Sequence, residues 1–122
     1  GTREIEESIS SHAAVAEVAV VGVADNLKGQ GAMAFAVLKD AAAYAEPAAR
    51  LKLEGEIMKV VDGDLGAVAR PARVHFVSVL PKTRSGKIMR RLLRDVAEGR
   101  PIGDTTTLTD PAVLSIIDAQ VH

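Results

Sequence analysis

Cysteine is absent from the 122 residues, which excludes disulfides, thiolate metal sites and a cysteine nucleophile and is compatible with a reducing compartment. Tryptophan is absent too, and the few aromatics, Phe35, Tyr44 and Phe76, lie away from the most basic stretch of the chain. A stacking platform for single-stranded nucleic acid is therefore missing. No apolar run reaches the roughly 18 residues of a membrane span, and the opening ten residues carry Glu4, Glu6 and Glu7 with no hydrophobic stretch, unlike a secretory signal. A cytoplasmic location is the expectation. His12, His75 and the terminal His122 stand apart, without ligand partners at metal-binding spacing, so no metal is expected from the residues themselves. Neither a Ser/His/Asp constellation nor a carboxylate pair is visible, so independent hydrolytic chemistry is unsupported.

Enough apolar material remains for one cooperative core, since 48% of the residues are hydrophobic. The net charge of −1, from 15 basic and 16 acidic residues, exerts no strong pull on nucleic acid or an anionic membrane. Its placement is lopsided. Lys82, Arg84, Lys87, Arg90, Arg91 and Arg94 fall between positions 81 and 94 with no acid among them.

Thr2 reads as the cap of a short surface helix with Ile5, Ile9 and His12 on one face and Glu4, Glu6 and Glu7 in its first turn. Residues 15–23 (VAEVAVVGV) and 31–38 (GAMAFAVL) read as adjacent strands joined by a turn at Asp25-Asn26-Leu27-Lys28-Gly29. Pro47 opens a helix with Ala49, Leu53, Ile57 and Val60/Val61 on one stripe, ending around residues 62–66. Residues 72–80 (ARVHFVSVL) predict a third strand, with Val74, Phe76 and Ser78 on one face and His75, Val77 and Val79 on the other; Pro81 stops it. A basic helix follows from Lys87 to about Glu98, burying Ile88, Met89, Leu92, Leu93 and Val96 and turning Arg90, Arg91 and Arg94 outwards. Asp110 and Pro111 cap a last short helix. The pattern predicts an α+β fold, a small two-layer domain with a roughly three-stranded sheet packed by helices. Residues 1–100 would form its core and 101–122 a C-terminal tail.

The stretch Pro81-Lys82-Thr83-Arg84-Ser85-Gly86-Lys87 carries the chemistry. Ser85 and Gly86 read as the cap and tight entry of the basic helix. Lys87 and Arg90 then fall in its first turn, where the macrodipole opposes each exposed cation by roughly 0.3–1 kcal/mol. A phosphate or carboxylate brought by a ligand would reverse the sign. A Walker-type loop is excluded, because it needs Gly at 81 and Ser or Thr at 88, where this chain has Pro81 and Ile88. Two other readings compete: a solvated basic turn with no ligand, and a free-standing anion- or nucleic-acid-binding module using the patch at 81–94.

PKTRSGK resembles the near-C-terminal lysine motif of the AMP-forming acyl-CoA synthetases, part of the adenylate-forming superfamily, and the resemblance spans nearly the whole chain. GTREIEESI resembles the segment after that family's interdomain hinge, VAEVAVVGVADNLKGQ its strand-turn-strand, and GDTTTLTDP the tail of the acetyl- and propionyl-CoA synthetase branch. Arg3 and Glu7 tilt the likeness toward the propionyl-CoA synthetases.

The resemblance implies a small, mobile C-terminal domain whose partner is a much larger N-terminal domain of the same polypeptide. The implied substrates are a short-chain carboxylate, ATP with Mg²⁺, and coenzyme A, joined through acyl-AMP; the isolated domain would be inactive. Lys87 would be the catalytic lysine of adenylation, with Thr83, Arg84, Ser85 and Gly86 shaping its loop. The face near Gly1 would turn to coenzyme A in the second step. Lys87 would also be the target of reversible acylation by a lysine acyltransferase and deacylase. A cation near His12, with the carbonyls of Ser10 and Val15, is a further feature of the family. The chain departs from it at Val61-Asp62-Gly63-Asp64, where relatives often place an arginine for the coenzyme A phosphate. The turn itself is expected to be exposed, mobile and without a partner in the isolated chain.

Overall fold

The computed structural model describes residues 1–25, 29–103 and 105–122. Helix α1 (Thr2–Ser10) leads into strand β1 (Val15–Asp25), which pairs antiparallel with β2 (Gly29–Leu38). Helix α2 (Pro47–Leu65) then crosses to β3 (Arg73–Phe76), which lies parallel to β2 and completes a sheet of order β1-β2-β3. Helices α3 (Arg90–Glu98) and α4 (Ala112–Val121) close the chain. The α+β class and three-stranded sheet are as the sequence predicts. Of the turn expected at Asp25-Asn26-Leu27-Lys28-Gly29, residues 26–28 lie outside the described residues, whereas Asp25 and Gly29 belong to the strands and pair with each other.

Strand alternation sorts the core. Val18 and Val20 of β1, Ala34 and Ala36 of β2 and Val74 of β3 meet Ile5 and Ile9 of α1 and Leu53, Ile57 and Val61 of α2. Ala19, Val21 and Phe35, one residue out of step, pack on the other side against Leu93 and Val96 of α3 and Ile117 of α4. Helices thus cover both faces of the sheet, where the sequence reading had a two-layer arrangement. Both faces of β1 can be apolar for that reason. Each fully buried Leu or Ile in these clusters contributes about 1.5–3 kcal/mol through its removal from water.

The outer edge of β1 is closed by side chains. Glu6 accepts from the Val20 amide at 2.8 Å, Arg94 donates to the Gly22 carbonyl at 3.0 Å, and Glu98 accepts from the Ala24 amide at 3.0 Å. On the opposite edge of the sheet, Glu54 accepts from the Val74 amide at 2.7 Å and from Arg73 at 3.0 Å. Carboxylates therefore occupy strand donors that would otherwise invite another chain.

Three further boundaries differ from the sequence reading, besides the two strands, which each run two residues closer to the turn. Gly1, not Thr2, stands at the N-cap of α1, without a side-chain cap. The third strand ends at Phe76 instead of residue 80, because after Val77 bonds Ala36 at 2.9 Å the next donor, the Ser78 amide, is taken by Gln120 of α4 at 3.0 Å. The basic helix begins at Arg90 rather than Lys87, because the residues between them belong to a hairpin.

Candidate functional site: the Lys87 hairpin

The PKTRSGK stretch folds as a narrow hairpin. Lys82 and Ile88 face each other across an antiparallel bridge, the Thr83 amide donates to the Lys87 carbonyl at 2.9 Å, and Met89 donates to the Pro81 carbonyl at 2.9 Å. At the tip, the Gly86 amide donates to the Thr83 carbonyl at 2.9 Å, and Gly86 has φ +86°. This is the bonding of a three-residue loop closed by a glycine bulge, which needs a residue tolerant of positive φ. Gly86 is therefore the bulge residue of a turn and not the entry to a helix. The Thr83 hydroxyl lies 2.9 Å from the Ser85 hydroxyl and accepts from the Lys87 amide at 3.2 Å, which stiffens the tip further.

Arg84, Ser85, Gly86 and Lys87 are exposed. Among the described residues neither Arg84 nor Lys87 has an ion-pair partner. The rest of the basic stretch is engaged. The Lys82 ammonium lies 2.9 and 3.1 Å from the carboxylate oxygens of Glu17. Arg90 makes a two-pronged contact with Glu6, at 2.9 and 2.7 Å, and this bond raises the arginine's pKa above its usual value. Arg91 lies 3.9 Å from Asp95, and Arg94 caps β1. The sequence reading of outward Arg90, Arg91 and Arg94 holds for the exposed Arg91 and is corrected for the other two, which are half-buried, Arg90 on the distant Glu6 and Arg94 on the Gly22 carbonyl. Arg90 does occupy the first turn of α3, and Glu6 supplies the negative charge that position favours.

The hairpin base is braced by the C-terminal segment. Thr83 bridges Leu108, Thr109 donates to the Lys82 carbonyl at 3.0 Å, and Leu108 packs with Leu92, Leu114 and Met89. Lys82 and Thr83 are accordingly half-buried while the tip stays in solvent. The sequence reading expected an exposed turn without a partner; its tip is exposed, and its base is instead held by the C-terminal segment. Glu17 and Leu108 were not singled out from sequence, and Glu6 was read only as a helix-dipole acid. A signal for one was there, since Glu17 interrupts an otherwise apolar strand.

Elsewhere, His12 Nδ1 accepts from the Ala14 amide at 3.1 Å and its Nε2 lies 3.8 Å from Glu56, so it closes the turn between α1 and β1. No group of three His, Asp or Glu side chains converges among the described residues. His75 packs against Phe35 with ring centroids 5.6 Å apart, and burial, aided by the charge on Arg73, lowers its pKa. Gly1 lies in a shallow groove with Thr2, Glu4, Ile5, Leu65 and Ala69. The structure thus brings Thr83, Arg84, Ser85, Gly86 and Lys87 into one loop and leaves Gly1 and His12 outside it.

The small α+β scaffold that carries this hairpin is that of a known family: residues 4–87 match the AMP-binding enzyme C-terminal domain, and the chain belongs to that family. Over 117 residues it is 56% identical to the propionate–CoA ligase of Escherichia coli K12, covering 96% of this chain and 19% of that protein. Over 118 residues it is 50% identical to the acetyl-coenzyme A synthetase of Mycolicibacterium smegmatis, covering 97% and 12%. Among solved structures, the Brucella canis acyl-CoA synthetase superposes with a TM-score of 0.68 at 39% identity, covering 78% of this chain and 17% of that one. The chain therefore spans less than a fifth of the length of these relatives.

Proposed function

We propose that the chain works as the mobile C-terminal domain, residues 1–122, of an AMP-forming propionate–CoA or acetate–CoA ligase. The observation that carries this reading is the exposed Lys87, without an ion-pair partner among the described residues, at the tip of a braced hairpin in a chain 56% identical to a propionate–CoA ligase. In the first half-reaction a carboxylate oxygen attacks the α-phosphorus of ATP, forming acyl-AMP and releasing pyrophosphate. Lys87 would hold the carboxylate and the α-phosphate together and offset the charge that builds between them. In other enzymes, deleting one such donor costs about 10²–10³-fold in rate. Thr83, Ser85 and Gly86 would fix the direction in which Lys87 points, and Arg84 would add positive charge beside it.

In the second half-reaction the coenzyme A thiol attacks the acyl carbonyl and AMP departs. Here the domain would turn its other side, near Gly1, to the thiol's path, and Lys87 would withdraw. The carboxylate, ATP and coenzyme A pockets would lie in a larger N-terminal domain of the same polypeptide. Among the described residues no cluster of acids fits Mg²⁺, and that ion would be held with ATP elsewhere in the enzyme. Acylation of the exposed Lys87 by a lysine acyltransferase would remove the charge that adenylation uses, and a deacylase would restore it. The cytoplasm, where all three substrates occur, is the expected location.

The intact protein should form AMP, pyrophosphate and acyl-CoA from ATP, coenzyme A and propionate or acetate, and the isolated chain should form none. Carboxylate-independent behaviour of the intact protein would contradict the reading. So would salt-dependent binding of the isolated chain to DNA or RNA, the mark of the competing nucleic-acid module.

A further inference from the structure

We propose that Glu17 on β1 and Leu108 in the C-terminal segment are positioning residues that hold the Lys82–Thr83 leg of the hairpin and thereby aim Lys87. The proposal rests on the catalytic reading of Lys87 given above. An isolated two-stranded hairpin is at best marginally stable in water, and this one is closed by few backbone bonds of its own. Its stiffness has to come from outside. Glu17 supplies one restraint, with both carboxylate oxygens within 3.1 Å of the Lys82 ammonium and its own backbone fixed in the sheet opposite Val37. Leu108 supplies the other. Its backbone bridges Thr83, the adjacent Thr109 amide bonds the Lys82 carbonyl, and its side chain, 5% exposed, packs on Met89, whose amide bonds Pro81 on the first leg. Leu108 thus ties both legs together.

The family match ends at residue 87, before this segment, whereas the match to the propionate–CoA ligase takes in all but five residues of the chain and so most of the segment. Glu17 lies within the family match, and Leu108 lies beyond its end. A role beyond stability is separable at Glu17. The pair with Lys82 is over a third exposed on both sides, and such surface pairs contribute little to folding. The position of a catalytic ammonium, by contrast, is sensitive: a displacement of about 1 Å can cost on the order of 100-fold in rate.

The test uses the intact ligase carrying Glu17→Gln, Glu17→Asp or Leu108→Ala, with single-turnover rates for both half-reactions. Amide exchange at Thr83, Met89 and Thr109 is read in the 122-residue chain. Glu17→Gln is expected to slow acyl-AMP formation about tenfold or more, to spare thioester formation from supplied acyl-AMP, and to speed exchange at Thr83 and Met89; Glu17→Asp recovers most of the rate. Leu108→Ala is expected to speed exchange at all three amides. An equal fall in both half-reactions, no recovery with aspartate, or unchanged exchange overturns the proposal. Lys87→Ala, measured alongside, separates the two readings. If it keeps adenylation, the role of Lys87 fails; if it loses adenylation while Glu17→Gln does not, the positioning proposal alone fails.

Discussion

Glu6 accepts from the Val20 amide and from two nitrogens of Arg90, so one carboxylate joins α1, β1 and α3. Its side chain is only 15% exposed. Glu6→Gln keeps the shape but loses the charge, and leaves Arg90 half-satisfied; it is expected to destabilise the chain by about 1–3 kcal/mol, read as a lowered urea midpoint. His75 gives a pH dependence of known sign. Its folded pKa lies below the ordinary 6.5, so the unfolded chain binds the proton more readily. Stability is full above 6.5 and falls as pH drops from there toward the folded value. In His75→Gln, urea midpoints measured from pH 8 to pH 5 should lose that part of the slope. Little of this was legible in the sequence. Glu6 read as a helix-dipole acid and Arg90 as an outward cation, because an ion pair between residues 84 positions apart leaves no local pattern.

At the scale of elements, periodicity located both long strands to within two residues at the turn, and α2 from its first residue, since each contributes several apolar positions to the core. The lysine motif was misread as a helix entrance. Ser85 and Gly86 suit a cap and a hairpin bulge equally well, and the choice between them is made by Pro81, Lys82 and Leu108 through long-range bonds. The two readings predict different costs for Gly86→Ala. At φ +86° an alanine is strained by about 1–2 kcal/mol, although nothing lies within 4 Å of the added methyl. The substitution should therefore loosen the tip without a steric clash. In the intact enzyme adenylation should fall, while the melting temperature of the isolated chain changes by no more than that strain accounts for. A helix entrance would have tolerated alanine, so unaltered adenylation in this variant counts against the hairpin.

For the whole molecule, a lopsided charge map resolved into a division of labour. Acids from α1, β1 and α3 neutralise Lys82, Arg90 and Arg91, and Arg94 is held on the Gly22 carbonyl; among the described residues this leaves Arg84 and Lys87 as the exposed cations of the basic stretch without an ion-pair partner. The family was legible in the motif itself, whereas the role of the C-terminal segment was not, because Leu108 gains its meaning only when the chain folds back on Thr83. The central claim is that this chain lends Lys87 to one half-reaction and withdraws it from the other. Single-turnover kinetics of the intact ligase carrying Lys87→Ala test it most directly. Acyl-AMP formation should fall by about 10²–10³-fold, and thioester formation from supplied acyl-AMP should be largely spared. An equal loss in both half-reactions would contradict the account.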